Sequence, residues 1–252
     1  MSFGPKWAIK GGIGDFLQCV PFVLEHPDHR YVVASHYNRA PEFFGALGVR
    51  IKEESFARIE DIPECPRQLF FDNNPFGKRT FATTQPIIIQ PIIGLHLGAS
   101  KYSNSLAKRY GFPPKNLPPS ILTSLLSNPA KFSLCLFGES SELDVLLPAW
   151  RRTENYRLKI ISEDHIAVSL SYVASCDCFI GSDSGLKTMS SMLRIPTVVW
   201  MGDHKDESTE ETFINPYVKA GVMSMFRYRD LSLPDEVQAG VEFSLGKLLS
   251  LE

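Results

Sequence analysis

The sequence contains no apolar run of the roughly 18 residues that a membrane-spanning helix needs, and its first residues lack the apolar core of a signal peptide. We therefore expect a cytoplasmic protein, and peripheral contact with a membrane stays open. The net charge is −2 and the pI is near 6.3, which argues against binding nucleic acid through bulk positive charge. A nucleic acid as substrate is not excluded by this balance.

Metal and disulfide patterns are also missing. The five cysteines (Cys19, Cys65, Cys135, Cys176 and Cys178) are odd in number and form no Cys-x-x-Cys pair, and none lies near a histidine at ligand spacing. The six histidines are scattered along the chain. Buried, reduced thiols and the absence of a metal site are the expectation.

The pattern that is present is an alternation of short apolar strands with helices, which predicts parallel sheets covered on both faces. A turn-rich stretch at 73–91 divides it into residues 1–90 and 91–230, followed by a C-terminal helix within 231–252 that could pack back on the first half. Strands are expected at 7–10, 31–35, 49–52, 68–72, 92–97, 132–137, 158–161, 178–180 and 197–201. Helices are expected at 16–24, 40–47, 119–126, 141–150, 166–174, 185–193 and 235–251, Pro21 kinking or shortening the first of them. The acidic run 206–211 is expected to be an exposed loop.

One strand-to-helix turn has the composition of an anion site. The strand 178–180 enters a Gly/Ser/Asp turn that contains Asp183, Ser184 and Gly185 and opens onto the helix carrying Lys187 and Thr188. Free N–H groups and the helix dipole at such a terminus suit a diphosphate. An ordinary capped helix explains the same residues equally well.

Asp15 occupies a comparable turn at the end of the first strand, after Gly12 and Gly14. A carboxylate there would face a cleft and could act as a general base, or it could simply cap the helix. The two glycines are not a dinucleotide-binding fingerprint, because the third glycine and the acid after the second strand are both missing. An oxidoreductase is disfavoured for that reason.

Two further strand ends offer ligand chemistry. Gly98 and Ser100 form a small-residue turn followed by the basic residues Lys108 and Arg109, which could receive a diphosphate or could be solvated. Gly138 precedes the acids Glu139 and Glu142, which could bind ribose hydroxyls or only compensate a helix dipole. His204 is a weaker candidate base without an identifiable partner.

Taken in order, these motifs resemble those of the ADP-heptose:lipopolysaccharide heptosyltransferases, glycosyltransferase family 9. The resemblance runs from about residue 7 to residue 217 and rests on Gly12-Ile13-Gly14-Asp15, Leu97-Gly98-Ala99-Ser100, Lys108-Arg109-Tyr110, Phe137-Gly138 with Glu142, Ser182-Asp183-Ser184-Gly185, Ile195-Pro196-Thr197, Gly202 and Asn215-Pro216-Tyr217.

The resemblance implies a GT-B fold, with two Rossmann-like domains facing across a cleft, and an inverting, metal-independent glycosyltransferase without a bound cofactor. It implies that Asp15 is the base, that Lys108 stabilises the phosphates and that Ser100 lies in a phosphate turn. Glu142, or Glu139 in a shifted alignment, would bind the donor ribose. The backbone of Asp183, Ser184 and Gly185 would hold the diphosphate of a nucleotide-sugar donor, ADP-heptose or another ADP-sugar, opposite a saccharide or other hydroxyl-bearing acceptor.

Two departures from the family pattern matter. Thr188 stands where the family has histidine, and Lys187 beside it could supply the missing charge. The first half is short, which makes a protein or a modified nucleobase a possible acceptor. The alternative without enzymatic activity is a catalytically degenerate protein that binds a nucleotide sugar.

Overall fold

Two separate parallel sheets, with helices packed on them, organise the chain. The computed structural model describes residues 4–35, 39–81, 91–98, 116–146, 155, 157–162, 165–202 and 207–249. The first sheet has the order β1-β2-β3 and is formed by β1 (Lys6–Lys10), β2 (Arg30–Ala34) and β3 (Ile51–Glu53). Its helices are α1 (Ile13–Glu25), α2 (Ala40–Gly45) and a 3-10 turn at Phe56–Ile59. The predicted α/β architecture with parallel strands is confirmed.

Helix α1 forms because one face carries apolar residues at helical spacing, and that face is buried, including Phe16, Val20 and Val23. The helix runs through Pro21 to Glu25 without being shortened. The prediction of a strand at 68–72 is wrong, since the segment pairs with no strand in the part of the chain that the structure describes. Phe71 is buried instead, and its N–H donates to the carbonyl of Met192 in the second half.

The second sheet has six strands in the order β6-β5-β4-β7-β8-β9, all parallel. They are β4 (Ile92–His96), β5 (Ser133–Phe137), β6 (Leu158–Ile161), β7 (Cys178–Gly181), β8 (Thr197–Gly202) and β9 (Met223–Tyr228). The helices are α3 (Ser120–Ser127), α4 (Ser140–Leu146), α5 (Ile166–Val173), α6 (Gly185–Met192), α7 (Glu207–Phe213), α8 (Asn215–Lys219) and α9 (Pro234–Leu248).

The strand order of the second sheet reverses between β4 and β7. In an open parallel sheet, ligands bind outside the carboxyl ends of the strands on either side of such a reversal, because the two following loops diverge and leave a crevice. The residues that follow β4 and β7 are the Gly98 turn and the turn from Ser182 to Gly185. The topology therefore brings two of the predicted diphosphate loops to one crevice.

The second half differs from the expectations in one helix and one strand. The acidic run predicted as a loop is helical from Glu207, where Glu210 forms an ion pair with Arg227 at 2.7 Å. Strand β9 was not predicted, because its apolar residues do not alternate cleanly at this sheet edge. Helix α9 packs on the second sheet, against α3, β8 and β9.

One hydrophobic core cluster spans both halves, joining apolar residues of α1 and α2 to others of α5, α6 and α8. All five cysteines are buried and unpaired, as expected. No helix in the described ranges combines the length and the apolarity that crossing a membrane would take.

Candidate functional site

The crevice at the strand-order reversal is built on the N-terminus of α6. Gly185 begins this helix, and Ser184 caps it by accepting a hydrogen bond from the N–H of Lys187 at 3.4 Å. The hydroxyl of the buried Ser182 donates to the carbonyl of Gly98, which ties the turn after β7 to the turn after β4. The two turns therefore form one continuous rim of backbone and hydroxyl groups around a helix N-terminus, an arrangement that attracts anions.

A histidine that the sequence analysis did not single out lies beneath this rim. His96 ends β4, and 8% of its side chain is exposed. Its Nδ1 lies 2.9 Å from the hydroxyl of Ser184, and its Nε2 lies 3.4 Å from Oε2 of Glu142. The sequence signal for it is a single polar residue at the carboxyl end of an otherwise apolar strand.

Glu142 reaches this histidine because two glycines leave room for its side chain. A Cβ on Gly98 would lie 2.0 Å from Oε1 of Glu142, and one on Gly138 would lie 3.4 Å from Oε2. Burial by itself raises the pKa of Glu142, but the His96 ring and the N–H of Glu139 outweigh burial, so that the net pKa is lowered. The carboxylate is therefore ionised at the crevice. Glu139 is more exposed and pairs instead with Arg39 at 3.7 Å.

The first half meets the second where the N-termini of α1 and α6 touch. A Cβ on Gly185 would lie 2.6 Å from the Cγ2 of Ile13, so only a residue without a side chain fits at that point of contact. A Cβ on Gly14 would lie 3.3 Å from both Thr188 Oγ1 and the Phe213 ring. Small residues on both helices thus bring Asp15 and the turn after β7 close together. Gly12 lies just before α1, and a Cβ there would meet nothing within 4 Å.

Asp15 serves as a helix cap and also lies at this contact. Its Oδ2 accepts the N–H of Gly12 at 2.8 Å, and its Oδ1 lies 2.9 Å from the guanidinium of Arg67. Burial raises the pKa of Asp15, and the nearby charge of Asp183 adds to this, whereas the Gly12 N–H and Arg67 oppose it. With 18% of its side chain exposed, Asp15 is a carboxylate with a raised pKa that a ligand can still approach.

Lys187 is fully buried, and its ammonium is already engaged. Its Nζ lies 3.0 Å from Oδ1 of Asp183, donates to the carbonyl of Phe213 at 3.1 Å, and sits 5.6 Å from the centroid of the Phe213 ring. The hydroxyl of Thr188 donates to the carbonyl of Ser184 at 3.3 Å. In this arrangement Lys187 orients Asp183, and Thr188 supports the first turn of α6.

Most of the predicted site residues that the structure describes come together in two adjoining groups. Ser184 and Glu142 contact His96, and Gly98 and Gly138 leave room for Glu142; in the other group Gly14 and Lys187 contact Phe213, Thr188 lies beside Gly14, Asp183 pairs with Lys187 and Asp15 pairs with Gly12, and Gly185 joins the two groups. Ser100, Lys108, Arg109 and His204 lie outside the described residues. Their predicted roles stay predictions.

Arg67 and Phe213 were not predicted, since nothing in their local sequence sets them apart. Arg67 follows a segment in which Cys65 donates its N–H to the carbonyl of Ala8, so the chain runs beside β1 and brings the guanidinium to Asp15. Phe213 ends α7, which was expected to be a loop. Both placements depend on tertiary contacts between distant segments.

Comparison with known proteins supports the fold. No family model matches the chain, and no curated protein sequence matches it. Among solved structures, the ADP-heptose lipopolysaccharide heptosyltransferase II of E. coli is similar over 96% of this chain and 98% of that one, with 11% identity and a TM-score of 0.57. A glycosyl transferase family 9 protein from Veillonella parvula is similar over 100% of this chain and 91% of that one, with 11% identity and a TM-score of 0.47.

The first of these similarities covers nearly the whole of both chains, so it concerns both halves of the molecule rather than a shared Rossmann-like sheet alone. At 11% identity the similarity shows the fold and does not identify the substrates. The chain shares its fold with the E. coli heptosyltransferase II, which confirms, at the level of fold, the resemblance drawn from its motifs.

Proposed function

We propose that this protein is a GT-B glycosyltransferase that moves a sugar from a nucleoside diphosphate donor to an acceptor hydroxyl, with inversion and without a metal ion. The observation that supports this most is the contact between the N-termini of α1 and α6, which places Asp15 beside the turn of Asp183, Ser184 and Gly185. A base and an anion-binding turn at one junction suit transfer away from a diphosphate leaving group.

In the proposed reaction, the acceptor oxygen forms a bond to the anomeric carbon of the donor sugar while the bond from that carbon to the diphosphate oxygen breaks. Asp15 takes the proton of the acceptor hydroxyl, and the nucleoside diphosphate leaves with the electron pair of the broken bond. A raised pKa suits Asp15 to this task, because a general base works best when its pKa lies closer to the working pH.

The leaving group gains negative charge as its bond breaks. The N–H groups and dipole at the start of α6 would stabilise that charge without reorganising, and Ser100 and Lys108 are proposed to add to it. Glu142, ionised at the far side of the crevice, is proposed to accept the ribose hydroxyls. Lys187 is proposed to act through Asp183, since its ammonium already binds that carboxylate.

We further propose an ADP-sugar as donor, ADP-heptose among the candidates, and a cytoplasmic site of action. One observation favours a second function, that of a nucleotide-sugar binder without turnover. The ammonium of Lys187 is already paired with Asp183, and the uncharged Thr188 donates to the carbonyl of Ser184, so both residues expected to replace the family histidine are engaged within the protein.

A thermal-shift panel of ADP-, GDP- and UDP-sugars tests the proposal first. A ligand at about 100 times its Kd stabilises the folded state by about 2.7 kcal/mol, which raises the melting temperature measurably. A preference for ADP-sugars is the expected result, and no shift with any member of the panel would overturn the proposal. Release of nucleoside diphosphate from the preferred donor then distinguishes an enzyme from a binder, because binding without any release supports the binder.

A further inference from the structure

His96 occupies the position in the second sheet from which one side chain reaches both loops of the proposed donor site. Strand β4 lies between β5 and β7, with His96 in register with Phe137 on one side and Gly181 on the other. Strand β5 leads into the loop and helix that carry Glu142, and β7 leads into the turn that carries Ser184. The strand order therefore dictates that a long side chain at the end of β4 can contact both.

The ring makes both contacts at once. Oε2 of Glu142 lies 3.4 Å from Nε2, and the Ser184 hydroxyl lies 2.9 Å from Nδ1. An ionised carboxylate can only accept, so Nε2 carries a hydrogen and donates it to Glu142. In the neutral ring Nδ1 then accepts from the hydroxyl of Ser184, whose oxygen in turn accepts the N–H of Lys187.

This chain of hydrogen bonds has one direction, from the N-terminus of α6 through Ser184 and His96 to Glu142. A diphosphate that draws the hydroxyl hydrogen of Ser184 toward itself would leave Nδ1 without its donor. The buried ring can regain a partner for Nδ1 only by turning, and a turn changes the bond at Nε2 to Glu142. Because 8% of the His96 side chain is exposed, water cannot readily replace either partner.

We propose that His96 is a positioning residue that couples the ribose end of the donor site, at Glu142, to its diphosphate end, at Ser184. The inference rests on the proposed function, since it assumes that one nucleoside diphosphate contacts both ends. Its consequence is that the two halves of the ligand bind cooperatively through a side chain that need not touch the ligand.

A double-mutant cycle tests the coupling. The Kd for ADP is measured by calorimetry for the native protein, Ser184→Ala, Glu142→Gln and the double variant, and the same four are repeated with His96→Asn and with His96→Gln. Asparagine keeps a polar atom near the position of Nδ1, whereas glutamine keeps one near Nε2, so each retains one of the two contacts.

With His96 present, we expect the effect of the double substitution to differ from the product of the two single effects by about fivefold or more, which is about 1 kcal/mol. With asparagine or glutamine at position 96, the effects should multiply to within about twofold. A purely structural role would lower the melting temperature and leave the coupling intact. Coupling that persists in either folded His96 variant, or that is missing in the native background, overturns the inference.

The two proposals fail in different ways. If neither ADP nor GDP nor UDP binds the native protein, the proposed function itself falls. If ADP binds and the cycle is multiplicative in every background, the function stands and the coupling through His96 is wrong. Should one His96 variant fail to fold by circular dichroism, the other decides the outcome, because each alone breaks the chain.

Discussion

Replacing Asp15 by asparagine separates its two roles. The amide oxygen of the new side chain can still accept the N–H of Gly12, which lies 2.8 Å from the native carboxylate, so the start of α1 should stay capped. What disappears is the ability to take a proton. Asp15→Ala removes both roles and is the matched comparison.

The magnitudes follow from these contacts. A positioned general base contributes about 10²- to 10⁴-fold to a rate, which is roughly 3 to 5.5 kcal/mol of the activation barrier, so transfer by Asp15→Asn should fall by that factor. Donor binding should change little, because the base acts on the acceptor. Asp15→Ala should lose about 1 kcal/mol more of folding stability, since the Gly12 N–H loses its partner.

The stability of Asp15→Asn has a predictable sign. Burial, with help from Asp183, raises the pKa of Asp15 above its unfolded value, so the folded protein holds that proton more tightly than the unfolded chain does. The stabilisation from this group is present at pH values below the unfolded pKa and is lost as the pH rises through the folded pKa. At neutral pH, a neutral amide should therefore not lower the melting temperature, because the net rise in the pKa of Asp15 already includes the opposing attraction of Arg67.

The assay is single-turnover transfer from labelled donor over a range of pH, with donor Kd measured in parallel. Native activity should rise with pH through the raised pKa of Asp15, because the base must be ionised. Transfer by Asp15→Asn within about threefold of the native rate, far short of the loss expected for a general base, would refute the role of Asp15 as base. Loss of donor binding in Asp15→Asn would show instead that the residue acts on the donor side.

Three further predictions concern the frame of the site. In Gly185→Ala the new Cβ would lie 2.6 Å from a side-chain carbon of α1, so the free energy of unfolding measured in urea should fall by about 1–3 kcal/mol. The control is Gly246→Ala in α9, where a Cβ meets nothing within 4 Å, and this variant should be as stable as the native protein or more stable. Lys187→Met leaves the Asp183 carboxylate without its buried cation and should cost about 3–5 kcal/mol, part of which Asp183→Asn in the same chain should restore. Arg157→Met removes hydrogen bonds to four backbone carbonyls at the opposite end of the sheet, and should lower stability by about 3 kcal/mol or more while the donor Kd stays unchanged.

The strands of the second sheet could be predicted because they are short apolar runs that end in turn residues, and β6 has the predicted bounds. The segment 68–72 misled the prediction because two adjacent aromatics imitate a strand. In the structure each finds a different partner: Phe70 packs edge-on against Tyr217, and Phe71 joins the core. Local composition reports that such side chains will be buried, but not whether a neighbouring strand or a distant helix buries them.

The same limit applies to the site, where the turns were predictable and the contacts between turns were not. Glu142 and Ser184 follow strands of one sheet, and the carboxyl ends of parallel strands share an edge, which suffices to propose a common site. Asp15 follows a strand of the other sheet, and its place opposite that site rests on the expected cleft between the two halves. His96, whose ring joins Glu142 and Ser184, belongs to no motif in the sequence. Its role can be inferred only once the strand order β5-β4-β7 is known. That order is set by which strands pair, so a residue that links loops 46 and 88 positions away cannot be recognised before the topology is known.

The site also shows why its two carboxylates need two cations. Asp15 and Asp183 lie close enough for each to raise the energy of the other's charge, and burial adds to that cost. Arg67 pairs with Asp15 and Lys187 pairs with Asp183, which offsets this cost, and the ring of Phe213 lies within 6.0 Å of both cations. Lys187 is buried, whereas a third of the Arg67 side chain is exposed, so Arg67 is the more accessible of the two cations. In the proposed reaction, an acceptor that displaces Arg67 would remove one of the interactions that lower the pKa of Asp15 and so make the proposed base stronger.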